Sequence, residues 1–242
     1  MKVIWGFDNP PLFRNAVATV GSYDGVHRGH RILLDEVVRR AKECGGESVV
    51  LTFEPHPRIT LGNDEGLLLL STFEEKCRLL EQLGVDYIVV IPFDKAFSQL
   101  SREEFIDTYL VGKLHIKCLI VGYNHHFGHN KEGNHSFLVQ HGALQVVEIA
   151  QYLADGNKVS STVIRKALSN GDIALARQML GHPYIIVGMA DEKGVVTTNH
   201  LKLLPTNGEY DCRIEGERCR CKIIDGTIEQ SCKFSQKIEI EL

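Results

Sequence analysis

The apolar positions of the first 150 or so residues switch repeatedly between two periods. "AVATV" (16–20), "ESVVLTF" (47–53), "DYIVVI" (86–91), "KCLIVG" (117–122) and "ALQVVEIA" (143–150) are short, nearly continuous apolar runs rich in β-branched residues, and they read as strands. Between them, "RGHRILLDEVVRRAKECGG" (28–46), "STFEEKCRLLEQLG" (71–84) and "SREEFIDTYLVGKL" (101–114) place apolar residues three and four apart, as amphipathic helices do. The last of these opens on a serine and carries glutamates in its first turn, the composition of a capped helix. Continuous apolar strands separated by helices predict a parallel sheet buried on both faces, an α/β Rossmann-like fold with helices on each side.

In such a sheet, ligands bind beyond the carboxyl ends of the strands. Those ends read "GSYDGVHRGH" (21–30), "EPHPR" (54–58), "IPFDKAF" (91–97) and "GYNHHFGHNKEGN" (122–134), and they concentrate glycine, histidine and polar residues. Two further helices are predicted, "SSTVIRKALSNG" (160–171) and "DIALARQMLG" (172–181), each followed by a glycine at its C-terminal end. After "HPYIIVG" the pattern changes to alternating β-type segments joined by tight turns, "NG", "EG" and "DG", without a strong helix. An α/β domain over 1–182 followed by a small β appendage over 183–242 is therefore expected. An appendage of that size is short for an independent core.

Composition narrows the function classes. The chain has 242 residues, 43% hydrophobic and 24% charged, with a formal net charge of -4, so a general nucleic-acid surface is not expected while a pocket for one small anion is. No window reaches the ~20 apolar residues of a membrane helix and the N-terminus lacks the apolar core of a signal peptide, so the sequence reads as cytoplasmic. Four of the seven cysteines, Cys212, Cys219, Cys221 and Cys232, crowd the C-terminal end. They contain no C-x-x-C pair, and Cys219 and Cys221 fit one face of a strand, so packed reduced thiols are favoured over a zinc site.

The chemistry concentrates at two helix starts. A strand delivers the chain to Gly21 and Gly25, the turn reverses, and a helix begins near Arg28, so unpaired backbone N–H groups and a helix dipole face the space above the sheet, an arrangement that holds phosphate. His27 and His30 are three residues apart at that start, with Gly29 between them, and both are placed to donate hydrogen bonds to one anion. The second start carries Ser160, Ser161, Thr162 and Arg165. Serine and threonine there are ordinary N-cap residues and Arg165 an ordinary charge, so it is the joint occurrence of H-x-G-H after the first strand and S-S-T-x-x-R near the last that is specific. Pro55 and Pro57 stiffen a loop whose His56 either reaches a ligand or is a solvated imidazole on a rigid turn.

With these motifs the chain resembles the nucleotidylyltransferase superfamily, and within it the adenylyltransferase module of the bacterial bifunctional riboflavin kinase/FMN adenylyltransferases, the FAD synthetases. The resemblance runs in order through "VATVGSYDGVHRGH", "VVLTFEPHPR", "LLSTFEEKCRLLEQLGVDYIVVIPFD", "LSREEFIDTYL", "LIVGYNHHFGHNKEGN" and "VSSTVIRKAL", about three quarters of the chain. It implies transfer of AMP from ATP to FMN, giving FAD and pyrophosphate, with Mg2+ accompanying ATP. His27, His30 and Arg165 would be catalytic. Gly21, Ser22, Tyr23, Gly29, Gly122, Ser160, Ser161 and Thr162 would bind ATP, and Asp24, His56, Asn124 and Phe127 would contact FMN.

The family often has aspartate where this chain has Asn124, so a metal role for that position is not expected. His125, His126 and His129 resemble a metal cluster by spacing, but the resemblance assigns their segment to ligand binding and loop folding. "VTTNHLKLLPTNGEY" (196–210) is similar to the nucleotide-binding portion of the kinase module, with Thr197 and Asn199 at its Mg-ATP positions. The glycine-rich run that precedes it in the family is missing, and no segment similar to the one carrying the kinase's catalytic glutamate follows, so riboflavin kinase activity is not expected. Small-molecule substrates and no membrane partner are expected, with an oligomer left open. Two other readings stay open: a nucleotidylyltransferase acting on a different phosphorylated acceptor, and a catalytically silent flavin- or nucleotide-binding module.

Overall fold

The computed structural model of the chain describes residues 1–62, 66–154, 157–230 and 237–242. Cys232, the last of the four clustered cysteines, lies outside the described residues. The chain divides into two compact units.

The first unit comprises residues Met1–Tyr23, His30–Gly66 and Leu80–Tyr152. Its strands are β1 (Lys2–Trp5), β2 (Val17–Val20), β3 (Ser48–Glu54), β4 (Tyr87–Pro92), β5 (Cys118–Gly122) and β6 (Gln145–Ile149). They form a six-stranded sheet in the order β1-β4-β3-β2-β5-β6, and every pair is parallel. Parallel pairing requires crossovers, and the long helix α1 (Arg28–Glu43) supplies the one between β2 and β3. The strands split by their period of two. Ala18, Val20, Val49, Leu51, Val89, Ile91, Leu119 and Val121 join one apolar cluster with Phe105, Ile106 and Leu110. The alternate positions Val17, Thr19, Val50, Thr52, Ile88, Val90 and Ile120 are equally buried, so both faces are covered, as the run of apolar letters predicts.

From β2 the chain adds β3 and then β4 on one side, and later β5 and β6 on the other. The carboxyl ends of β2 and β5 therefore flank the switch point, where an open α/β sheet holds its ligand. β1 is an edge strand that the hydrophobic pattern does not predict, because it lacks a buried run: Val3 is 40% and Trp5 58% exposed. The helix predicted over 101–114 begins as α-helix at Arg102–Glu104, with the expected Ser101/Glu104 capping box, and continues as π-helical turns over Phe105–Lys113.

The second unit comprises residues Asp24–Gly29, Leu67–Leu79 and Leu153–Leu242. Strands Ile185–Ala190, Val195–Thr198, Gly208–Ile214, Glu217–Ile224, Thr227–Gln230 and Lys237–Glu241 close into an antiparallel barrel. Closure removes the exposed edges a small sheet would otherwise present. Ile186, Val196, Ile214, Ile223, Ile228, Ile238 and Ile240 are buried in it.

All six barrel strands fall within 183–242, but the second unit is larger than that segment. It takes in two helices, Ser161–Ser169 and Ile173–Leu180, which in chain order are α7 and α8. It also takes in Leu67–Leu79 and the start of α3 (Phe73–Gln82). Backbone hydrogen bonds tie these pieces to barrel loops, among them Leu69 N to Leu201 O at 2.7 Å and Thr206 N to Leu168 O at 3.3 Å.

Candidate active site

In the first unit the switch point is built on buried polar contacts. Thr19 Oγ1 donates to Ile120 O (2.8 Å) and meets Tyr23 Oη at 2.6 Å. Tyr23 is buried, and burial raises its phenol pKa well above the usual value, so its ring is an internal strut. The ring stands edge-on to His30, with centroids 5.2 Å apart. Gly21 donates to Leu51 O, and a Cβ there would lie 3.1 Å from the Tyr23 ring, so glycine lets the chain leave β2 beside that ring. The carbonyl of Ser22 is 3.4 Å from Thr52 Oγ1. At the end of β5, Gly122 is followed by exposed Tyr123 and Asn124.

Phe127 is buried, pairs through its backbone with Gly133 (3.1 and 2.9 Å), and packs on Phe105 and His125. It supports the loop from inside the core. Burial lowers the pKa of His125 to about 4, with His126 adding to the effect. His56 caps the short helix Pro57–Thr60, its Nδ1 accepting from Arg58 N at 3.2 Å. Among the described residues no group of His, Cys, Asp or Glu is arranged to hold a metal ion.

In the second unit Asp24 is the centre. It is 4% exposed; its Oδ1 accepts from Ser71 N (3.0 Å), its carbonyl accepts from Ser161 Oγ (3.0 Å), and its Oδ2 forms an ion pair with Arg165 Nη2. Arg165 Nε donates to Leu68 O at 2.8 Å. Ser160 is the N-cap of α7, its hydroxyl accepting from Val163 N (3.4 Å), so Ser161, Thr162 and Arg165 lie on the first turns of a properly capped helix. Gly25 has φ +81°, and its N–H donates to Ser71 Oγ (2.9 Å). His27 is 7% exposed, and burial lowers its pKa to about 4, opposed by a hydrogen bond to its own backbone and by Asp24. It is a neutral N–H donor at pH 7. A Cβ on Gly29 would come within 3.3 Å of the His27 ring, so any larger residue there would press on that imidazole.

The structure thus joins Asp24, Ser161 and Arg165 in one hydrogen-bonded group, and sets the Tyr23 ring edge-on against His30. It also assigns parts to residues the motifs do not mark. Ser71 bonds both Asp24 and Gly25, and His182 Nε2 meets the Gly25 carbonyl at 3.0 Å while its Nδ1 meets Pro183 O at 2.7 Å. No periodicity reveals these partners, because they stand 46, 47 and 157 residues apart in the chain.

A family model described as FAD synthetase matches residues 10–163, from before β2 to the first turn of α7. The chain belongs to this family. Relatives named bifunctional riboflavin kinase/FMN adenylyltransferase include that of Escherichia coli K12, 35% identical over 78% of this chain and 62% of the relative. That of Listeria monocytogenes is 33% identical over 84% and 69%, and that of Pseudomonas fluorescens 36% identical over 87% and 72%. The chain therefore spans about 62% of the length of the Escherichia coli relative. A crystal structure described as a macrolide-efflux protein from Streptococcus pneumoniae has a TM-score of 0.85 and 21% identity, covering 99% of this chain and 88% of its own. At that identity the similarity is one of fold. Among the described residues no helix is long and apolar enough to cross a membrane.

Proposed function

We propose that this FAD synthetase family member transfers the adenylyl group of ATP to the phosphate of FMN, releasing pyrophosphate. The observation that carries the reading is that the family match takes in the H-x-G-H opening α1 and the Ser160–Thr162 start of α7, ending two residues before Arg165. A phosphate oxygen of FMN attacks the α-phosphorus in line as the bond to pyrophosphate breaks, and the protein's part is positioning and charge stabilisation. His27 and His30 donate hydrogen bonds to the ATP phosphates, His27 as the neutral imidazole its burial enforces. Backbone N–H groups of Ser22, Tyr23 and Gly29 line the phosphates, Gly21, whose own N–H is held by Leu51 O, lets the chain pass close to ATP, and Gly122 lies beside the nucleotide. Ser160, Ser161, Thr162 and Arg165 hold the leaving pyrophosphate.

Both oxygens of Asp24 are engaged by Ser71 and Arg165, so we assign it to orienting Arg165 rather than to direct flavin contact. Phe127, being buried, supports the flavin loop from behind, whereas exposed Asn124 and the partly exposed His56 are the flavin-facing candidates. Mg2+ enters as the counter-ion of ATP. Among the described residues no group of His, Cys, Asp or Glu forms a ligand set for it, and the carboxylate of Asp24 is engaged by Ser71 and Arg165. We also propose that riboflavin is not phosphorylated here. Asn199, at a position resembling a kinase nucleotide ligand, turns its Oδ1 onto Leu201 N (2.9 Å) within its own turn.

Incubation with ATP, Mg2+ and FMN is expected to yield FAD, and riboflavin with ATP to yield no FMN. His27→Ala and His30→Ala are each expected to lower kcat/KM on the order of 100-fold or more, about 3 kcal/mol of transition-state stabilisation. Adenylylation of another phosphorylated acceptor without FAD would replace the acceptor in this reading. Turnover unchanged in both variants would remove the assigned roles.

A further inference from the structure

The segment Leu68–Thr72, on the approach to α3, has two edges, and each is hydrogen-bonded to a different part of the second unit. On one edge it carries the machinery described above: Leu68 O accepts from Arg165 Nε, Ser71 N donates to Asp24 Oδ1, and Ser71 Oγ accepts from Gly25 N. Gly25 is held so close that a Cβ there would lie 2.8 Å from Leu70 Cδ1 and 3.0 Å from Leu70 Cβ. On the other edge it pairs like a short strand with the barrel turn, Leu69 N donating to Leu201 O (2.7 Å) and Leu203 N to Leu69 O (2.9 Å).

At the centre of that second edge stands Lys202, with a fully buried side chain. Its ammonium spends its three donors on Leu70 O (2.7 Å), Glu75 Oε2 (2.8 Å) and Ile185 O (2.6 Å), and sits 4.1 Å over the Tyr184 ring. Glu75 is equally committed, to Thr72 N (2.8 Å) and to Val187 N of the barrel (2.7 Å). Tyr184 closes the arrangement by donating to Leu203 O at 2.6 Å. An ammonium satisfied by three acceptors, two on the approach to α3 and its first turn and one on the first barrel strand, ties those stretches together, because any displacement leaves a buried donor or acceptor without its partner.

We infer that Lys202 and Glu75 are positioning residues for adenylyl transfer: the barrel, through this buried pair, sets where the Leu68–Thr72 segment holds Asp24, Gly25 and Arg165. The inference rests on the proposed reading for its kinetic consequence but not for its structural one. It gives the barrel a task in the adenylyltransferase reaction that requires no kinase activity.

Two measurements test it. In the wild-type protein, native-state hydrogen exchange is expected to show the amides of Leu69, Ser71, Gly25 and Leu203 opening as one unit, with the same dependence on denaturant. Ser71 and Gly25 exchanging at least tenfold faster than Leu69 and Leu203 would overturn the inference, whatever reaction the protein catalyses. In the Glu75→Gln/Lys202→Met double variant, which removes both buried charges together, Ser71 and Gly25 are expected to exchange at least tenfold faster than the sheet amide of Ile88, and KM for ATP to rise about fivefold as kcat falls. A merely lower folded fraction would reduce kcat and leave KM alone. A folded double variant with unchanged Ser71 and Gly25 protection and unchanged KM would also overturn it, and if the double variant does not fold, the wild-type exchange decides. Wild-type protein that forms no FAD yet shows the common opening would refute the proposed function and leave the brace standing.

Discussion

At the scale of single residues, His27 joins function to stability. Its folded pKa of about 4 lies below the ordinary 6.5 because burial disfavours the imidazolium. The sign follows from proton binding. Between pH 6.5 and about 4 the unfolded chain takes up a proton on this ring and the folded chain does not, so stability falls with acidification through that window and is fully present above it. The shift corresponds to about 3 kcal/mol for His27, and His125 shifts in the same direction. The Tm of wild-type protein is therefore expected to drop steeply between pH 6.5 and 4.5, and His27→Gln to flatten that slope measurably. A slope unchanged in the variant would show that His27 titrates normally. The identity of this residue was legible from H-x-G-H. Its neutrality was not, because burial depends on what the rest of the fold places around it.

At the scale of elements, the turn between β2 and α1 shows how local rules and distant packing combine. Gly25 sits at φ +81°, a conformation that costs an L-residue roughly 1 to 2 kcal/mol, and the space its Cβ would fill belongs to Leu70. Gly25→Ala is expected to destabilise the protein by about 2 kcal/mol or more and to lower activity beyond the loss of folded protein. Urea unfolding beside kinetics under folded conditions measures both. Gly45, with φ +61° and nothing within 4 Å of its Cβ position, provides the contrast, since only the backbone cost applies there. Helix starts were readable where a side chain caps its own helix, as Ser101 and Ser160 do three residues away. The edge strand β1 was not, because half-exposed Val3 and Trp5 lack the buried run that marks a central strand. The π-helical path of Phe105–Lys113 was also hidden, since apolar letters at these spacings do not distinguish i→i−4 from i→i−5 bonding.

At the scale of the whole molecule, the question is what lets so small a barrel stand. Its closure satisfies its own edges, but Lys202 finds its carboxylate at Glu75 and Leu201 its backbone partner at Leu69, both outside the segment 183–242. A peptide of residues 183–242 alone would bury an ammonium without its counter-charge or expose it by opening the turn. Such a peptide is expected to show no cooperative urea transition, whereas the whole chain does. A cooperative transition with well-dispersed amide resonances in the isolated segment would show that the barrel needs nothing beyond itself.

What the sequence by itself determined about this protein is what depends on neighbours a few residues apart: the alternation of strand and helix, the caps at Ser101 and Ser160, and the two motifs whose order points to the FAD synthetase family. Only the tertiary structure decided that Asp24 faces Arg165, that Ser71 and His182 hold Gly25, that Tyr23 and Phe127 turn inward, and that Lys202 meets Glu75. The physical reason is range. Helix and strand periods and cap hydrogen bonds are written within one turn or one pleat, whereas the partners of a buried charge or a strained glycine are supplied by chain 46 to 157 residues away and leave no local trace.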